Sequence, residues 1–176
     1  MTPAIEGAGM LSPLIVTALF EAEDHAYLDG LRRQHFPPER NQLAAHLTLF
    51  HHLSPEIAPE LKRRLNDLTR GQPAPQAWLG GVMSLGRGVA FRVESPELQA
   101  IRADLADAFA TLLTPQDRAG WRPHVTIQNK VAANVARALH DQIAPTFQRR
   151  PLKISALASW WYRGGPWDPH TVHKFA

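Results

Sequence analysis

Cysteine is absent from all 176 residues. That excludes disulfide frameworks, thiol nucleophiles and thiolate-based zinc sites, and it suits a reducing, cytoplasmic setting. Long apolar runs are missing too: the longest, residues 13–20 (PLIVTALF), is far short of the roughly 20 residues a membrane-spanning helix needs. The start carries no Lys or Arg, and acidic EAEDH follows that run, which argues against a secretory signal. Like charges do not accumulate. The densest clusters, LKRRL at 61–65 and QRRPLK at 148–153, read as solvated ends of elements. A net charge of +3 is compatible with an anionic substrate but too weak to require nucleic acid. The Gly-rich phosphate loops of doubly wound nucleotide-binding folds are also lacking.

What is present is an ordinary globular composition, 44% hydrophobic and 20% charged, long enough for one sizeable core. Residues 1–12, with EGAGM and a second methionine at Met10, read as a loose leader. Residues 13–176 read as a single α+β domain. The patterning predicts a strand over 14–20, a helix over 22–35 and a strand over 43–50. A helix then starts at Ser54-Pro55 and closes at Gly71. A hairpin over 76–84 and 87–94 follows, then a second Ser-Pro-Glu helix start running to about 113. A strand over 121–131, a helix over 132–144, and strands over 152–163 and 171–175 complete the chain.

The stretch LAAHLTLFHHL, 43–53, alternates leucines with His46, Thr48 and Phe50. Along a strand, residues two apart share a face, so His46 and Thr48 project together opposite Leu47 and Leu49. The pattern returns as HVTI at 124–127, 78 positions after HLTL at 46–49, and each copy is followed by a helix. This is a weak internal duplication of strand, helix, motif strand and helix. Packed about a pseudo-two-fold axis, the halves would converge two histidines and two threonines on one groove. Metal-free phosphodiester chemistry needs a base for the attacking oxygen and an acid for the leaving oxygen. Histidine suits both roles near neutrality. Hydroxyl donors can hold the non-bridging oxygens where charge gathers.

In these two His-apolar-Thr-apolar motifs, and over nearly the whole chain, the sequence resembles the 2H phosphoesterases, the family of 2′-5′ RNA ligase-like proteins and 2′,3′-cyclic nucleotide phosphodiesterases. The resemblance implies a bilobal, internally duplicated α+β fold, with antiparallel sheets facing a central groove and helices outside. It implies catalytic roles for His46, Thr48, His124 and Thr126, with neither metal nor ATP required for diester hydrolysis. Many relatives carry an arginine five residues after the second histidine; here that place holds Asn129. Strict alternation puts Gln128 and Lys130 on the face of His124, so Lys130 is the expected cationic contact. Phe50, by the same parity, is placed to stack a base, with ordinary core packing as the alternative, and Tyr162, on a late strand the resemblance places by the groove, is expected to touch substrate.

Other histidines invite a metal reading. His51 and His52 have no acid at ligand spacing on their strand, and His140-Asp141 stands alone on a helix, so no metal and no cofactor is expected. The expected substrate is a nucleotide or RNA bearing a 2′,3′-cyclic phosphate or a 2′-5′ linkage. The expected protein is a monomer with neither a membrane nor an obligate protein partner. The alternative is a module that binds RNA ends or phosphorylated ligands with little turnover.

Overall fold

A computed structural model describes residues 12–176, so all of the expected leader but Ser12 lies outside the described residues. β1 (Leu14–Phe20) and α1 (Ala22–His35) lead to β2 (Leu47–Leu53), α2 (Ala58–Thr69), β3 (Gln76–Ser84), β4 (Val89–Glu94) and α3 (Pro96–Ala108). A one-turn helix α4 (Pro115–Arg118), β5 (His124–Gln128), α5 (Ala133–Ile143), β6 (Arg150–Trp161) and β7 (Asp168–Lys174) follow. The fold is α+β, as the sequence indicates, and every strand pairing is antiparallel.

The strands run β2-β1-β6-β3-β4-β5, with β7 added to β6. β6 is the common member: Ile154 to Trp161 pair with β1, while Arg150 to Lys153 pair with β3. The near-continuous apolar run of β1 reflects its place between two strands. Leu14, Ile15, Val16, Thr17 and Ala18 are all buried. β1, α1, β2, α2 and then β4, α3, β5, α5 repeat one order. The two motif strands, β2 and β5, end the path at opposite sides and still contact each other, which brings the two motifs to one place.

The helices form where the sequence marks them. Ser95 caps α3, accepting the Leu98 amide at 3.1 Å, with Pro96 in the first turn. Ser54 makes no such bond. Its Ser-Pro-Glu opens a 3₁₀ turn, Pro55–Ile57, before α2 begins at Ala58. Leu61, Leu65 and Thr69 then bury one face of α2 at helical spacing.

Each motif strand carries a bulge just after its threonine. On β2 the register passes from Thr17↔Thr48 to Val16↔Phe50, and on β5 from Ala90↔Thr126 to Val89↔Gln128. One extra residue, Leu49 or Ile127, reverses the alternation from that point. Leu49 and Phe50 are consequently both fully buried, and so are Ile127 and, nearly, Gln128. At Gly88 an added Cβ would sit 2.0 Å from the Gln128 carbonyl oxygen, so only glycine fits beside the second bulge.

Candidate active site

His46 stands immediately before β2 rather than within it, because its neighbours' backbone groups are used elsewhere. The Ala45 amide donates to Asp29 Oδ1 at 3.0 Å, and the Ala44 carbonyl accepts from His46 Nδ1 at 2.7 Å. In the other half, His124 Nδ1 lies 2.7 Å from the Arg122 carbonyl, again two residues upstream. A carbonyl can only accept, so each Nδ1 carries the hydrogen and each Nε2 is left for chemistry.

Both histidines and both threonines, Thr48 and Thr126, line one cavity of about 430 Å³. All four are half-buried, and neither hydroxyl has a hydrogen-bond partner among the described residues. The threonine carbonyls are fixed from across the molecule. Trp121 Nε1 donates to Thr48 O at 3.0 Å, and Arg32 Nη1 donates to Thr126 O at 3.0 Å. Arg32 belongs to the first half and Trp121 to the second, so each half steadies the other's motif. Arg102 of α3 repeats the theme, donating from Nε to Leu49 O at 3.1 Å and from Nη2 to Asp117 O at 2.6 Å.

Burial pushes the pKa of His46 down to about 4 against the opposing effect of its bond to Ala44, with the positive charges of Arg32, His124 and His51 adding to the depression. Its ring meets Trp167 edge-on at 4.7 Å, which covers part of the imidazole while the rest opens to the cavity. The group is therefore neutral at pH 7.

The remaining expected contacts divide. Phe50 is fully buried beneath the Arg102 guanidinium, 4.4 Å from its ring centre, and Gln128 is 4% exposed with Oε1 unpartnered; both face the core, not the groove. The bulges are the reason. They also bring His51 and Asn129, one residue later in each half, onto the cavity wall. Lys130, at a positive φ of 63°, and Tyr162, 44% exposed, line an adjoining cavity of about 460 Å³ with Arg32, Arg40 and Asn129. A more apolar cavity of about 380 Å³ on the other flank of His46 is walled by Leu43, Trp160 and Trp167. Among the described residues no group of three or more His, Asp or Glu could hold a metal ion, and no helix is long and apolar enough to cross a membrane.

Sequence reasoning missed Arg32, Arg102, Trp121, Asp117 and Trp167. A signal existed for the arginines: LDGLR at 28–32 and LQAIR at 98–102 repeat the same leucine-to-arginine spacing, on helices that precede each motif strand.

The 2′-5′ RNA ligase superfamily model matches residues 20–166. Solved structures with the same architecture include LigT of E. coli complexed with 3′-AMP, at a TM-score of 0.61 and 18% identity, covering 94% of this chain and 98% of that one. TT0787 of Thermus thermophilus aligns at a TM-score of 0.61 and 16% identity over 93% of this chain and 97% of that one. A conserved protein of unknown function from Agrobacterium tumefaciens, ATU0111, aligns at 0.50 and 17% over 96% and 88%. No curated protein matches the chain in sequence.

Proposed function

The chain belongs to the 2′-5′ RNA ligase superfamily, and from that premise we propose that it is a metal-independent phosphodiesterase acting on 2′,3′-cyclic phosphates or 2′-5′ phosphodiester linkages of RNA or nucleotides. The observation that carries this reading is the pair of His-x-Thr sets on one cavity, each histidine with Nδ1 on a backbone carbonyl and Nε2 unspent. His46, neutral at pH 7, takes a proton from water as the water oxygen attacks phosphorus. His124, entering protonated, gives its proton to the ribose oxygen as the P–O bond breaks. Thr48 and Thr126 donate to the non-bridging oxygens, where negative charge grows in the transition state.

The test is product analysis with a panel of nucleoside 2′,3′-cyclic phosphates and 2′-5′ dinucleotides, with and without excess EDTA. Turnover to a nucleoside monophosphate that is unchanged by EDTA is the expected result. Activity abolished by EDTA and restored by a divalent ion would replace the histidine mechanism with a metal-dependent one. Tight binding without any turnover would make the groove a site for RNA ends.

A further inference from the structure

The two bulges place His51 and Asn129 at equivalent points on the cavity wall, 78 residues apart like the motif histidines. The two are held very differently. His51 Nδ1 lies 3.2 Å from Oδ1 of Asp117, and the same carboxylate accepts the His51 amide at 2.8 and 3.0 Å and the His52 amide at 2.8 Å. Asp117 is 1% exposed, and its own carbonyl is gripped by Arg102. Burial tends to raise its pKa, yet the bonds from the His51 ring and from the two amides win and hold it below the usual carboxylate range. An ionised, buried carboxylate therefore orients one imidazole, taking Nδ1–H and turning Nε2 to the cavity, where the doubly protonated ring donates to an anion.

The surroundings are rich in donors. Arg102 spends Nε and Nη2 on carbonyls, and its Nη1 has no hydrogen-bond partner among the described residues. Arg122 and Gln116 also line the cavity, and among the described residues Asp117, already engaged, is the only carboxylate lining it. The quartet of His46, Thr48, His124 and Thr126 already supplies two imidazoles and two hydroxyls, enough for the oxygens of one phosphate. Donors beyond that quartet suit a second anionic group.

We propose that His51, oriented by Asp117 and next to Arg102, which grips the same aspartate, binds a second phosphate of the substrate, distinct from the one the motif residues hold. The proposal rests on the reading of the groove as a phosphoester site and names the substrate class more narrowly: nucleotides carrying an additional phosphate group. That group is either a terminal phosphomonoester or the next phosphodiester of an oligonucleotide.

Binding of unreactive ligands tests this without relying on turnover. Calorimetry on the whole protein compares a nucleoside 3′-monophosphate with the 3′,5′-bisphosphate and with a dinucleotide ending in a 3′-phosphate. A charge-assisted hydrogen bond predicts that the second phosphate tightens binding by roughly 10–100-fold, and that His51→Ala removes this advantage. An advantage seen with the bisphosphate alone identifies a terminal phosphate as the partner; one seen with the dinucleotide alone identifies a diester. No advantage in the native protein, or an advantage that survives in a His51→Ala variant of unchanged Tm, overturns the proposal and leaves the phosphoester reading standing. Failure of all three ligands to bind overturns both. A His51-dependent advantage in a protein that turns over no cyclic phosphate refutes catalysis alone.

Discussion

At the scale of single residues, His46 and His124 each spend Nδ1 on the chain two residues behind, so both rings turn the same nitrogen, Nε2, toward the cavity. Replacing either by alanine should lower turnover by roughly 10²–10⁴-fold, the range for losing a general acid or base. The double variant should lose less than the product of the two, since either loss already breaks the coupled transfer, and steady-state kinetics on a cyclic nucleotide measures this. Because the depressed pKa of His46 keeps it deprotonated down to about pH 4, the rising acidic limb of kcat/KM should lie near 4. A limb near 6.5 would assign the base to another group. Thr48→Val and Thr126→Val keep shape and strand preference while deleting a hydroxyl. Each should reduce kcat by roughly 10²–10³-fold, and unchanged rates in both would remove the hydroxyls from the phosphate. That these four side chains share one cavity was legible in the sequence because each His-x-Thr pair lies within three residues and the pattern repeats. Arg32 and Trp121 were not, since what they hold is a backbone carbonyl more than 70 residues away.

At the scale of elements, the bulges decide what reaches the groove. Strict alternation is right as far as Thr48 and Thr126, and inverts one residue later in both halves. Phe50 and Gln128 therefore point inward while His51 and Asn129 point out. A bulge is set by pairing with β1 and β4, so neither motif strand announces it locally. The helix and strand order was readable for the opposite reason: Ser95-Pro96 and the buried stripe of α2 act within a few residues. Gly88→Ala should force β4 from the second bulge, costing about 1–3 kcal/mol in denaturant unfolding and displacing Asn129. Arg102→Met keeps an unbranched stem but removes the guanidinium from the Phe50 ring and orphans the Leu49 and Asp117 carbonyls. It should destabilise by about 1–3 kcal/mol for each carbonyl left unpaired, measured the same way.

At the scale of the whole molecule, His35, His46, His170 and His173 all have lowered pKa values, with burial the leading cause at each. An unfolded histidine takes up a proton near 6.5, while these folded ones resist it until lower pH. The unfolded state thus binds more protons in that window, and stability must fall as pH falls through it. Asp117, held low by its bonds from His51 and His52, and Glu94, held low by Arg92 and Arg149, act in the same direction at more acidic pH. Tm should therefore drop between pH 7 and pH 5. His46→Asn should make that drop smaller, and a Tm independent of pH over the interval would contradict the burial of these rings.

β6, the strand that both halves share, also sets a clock. It begins only at Arg150, after both His-x-Thr motifs and every helix of the fold have been made. A chain emerging from the ribosome would carry all four motif side chains well before it had a strand to join β1 to β3. The Arg32 bond to Thr126 spans 94 residues and waits as well. Such long-range closure is slow and comes late in folding. The groove is then assembled late, and a chain truncated after residue 149 would carry both motifs and no site.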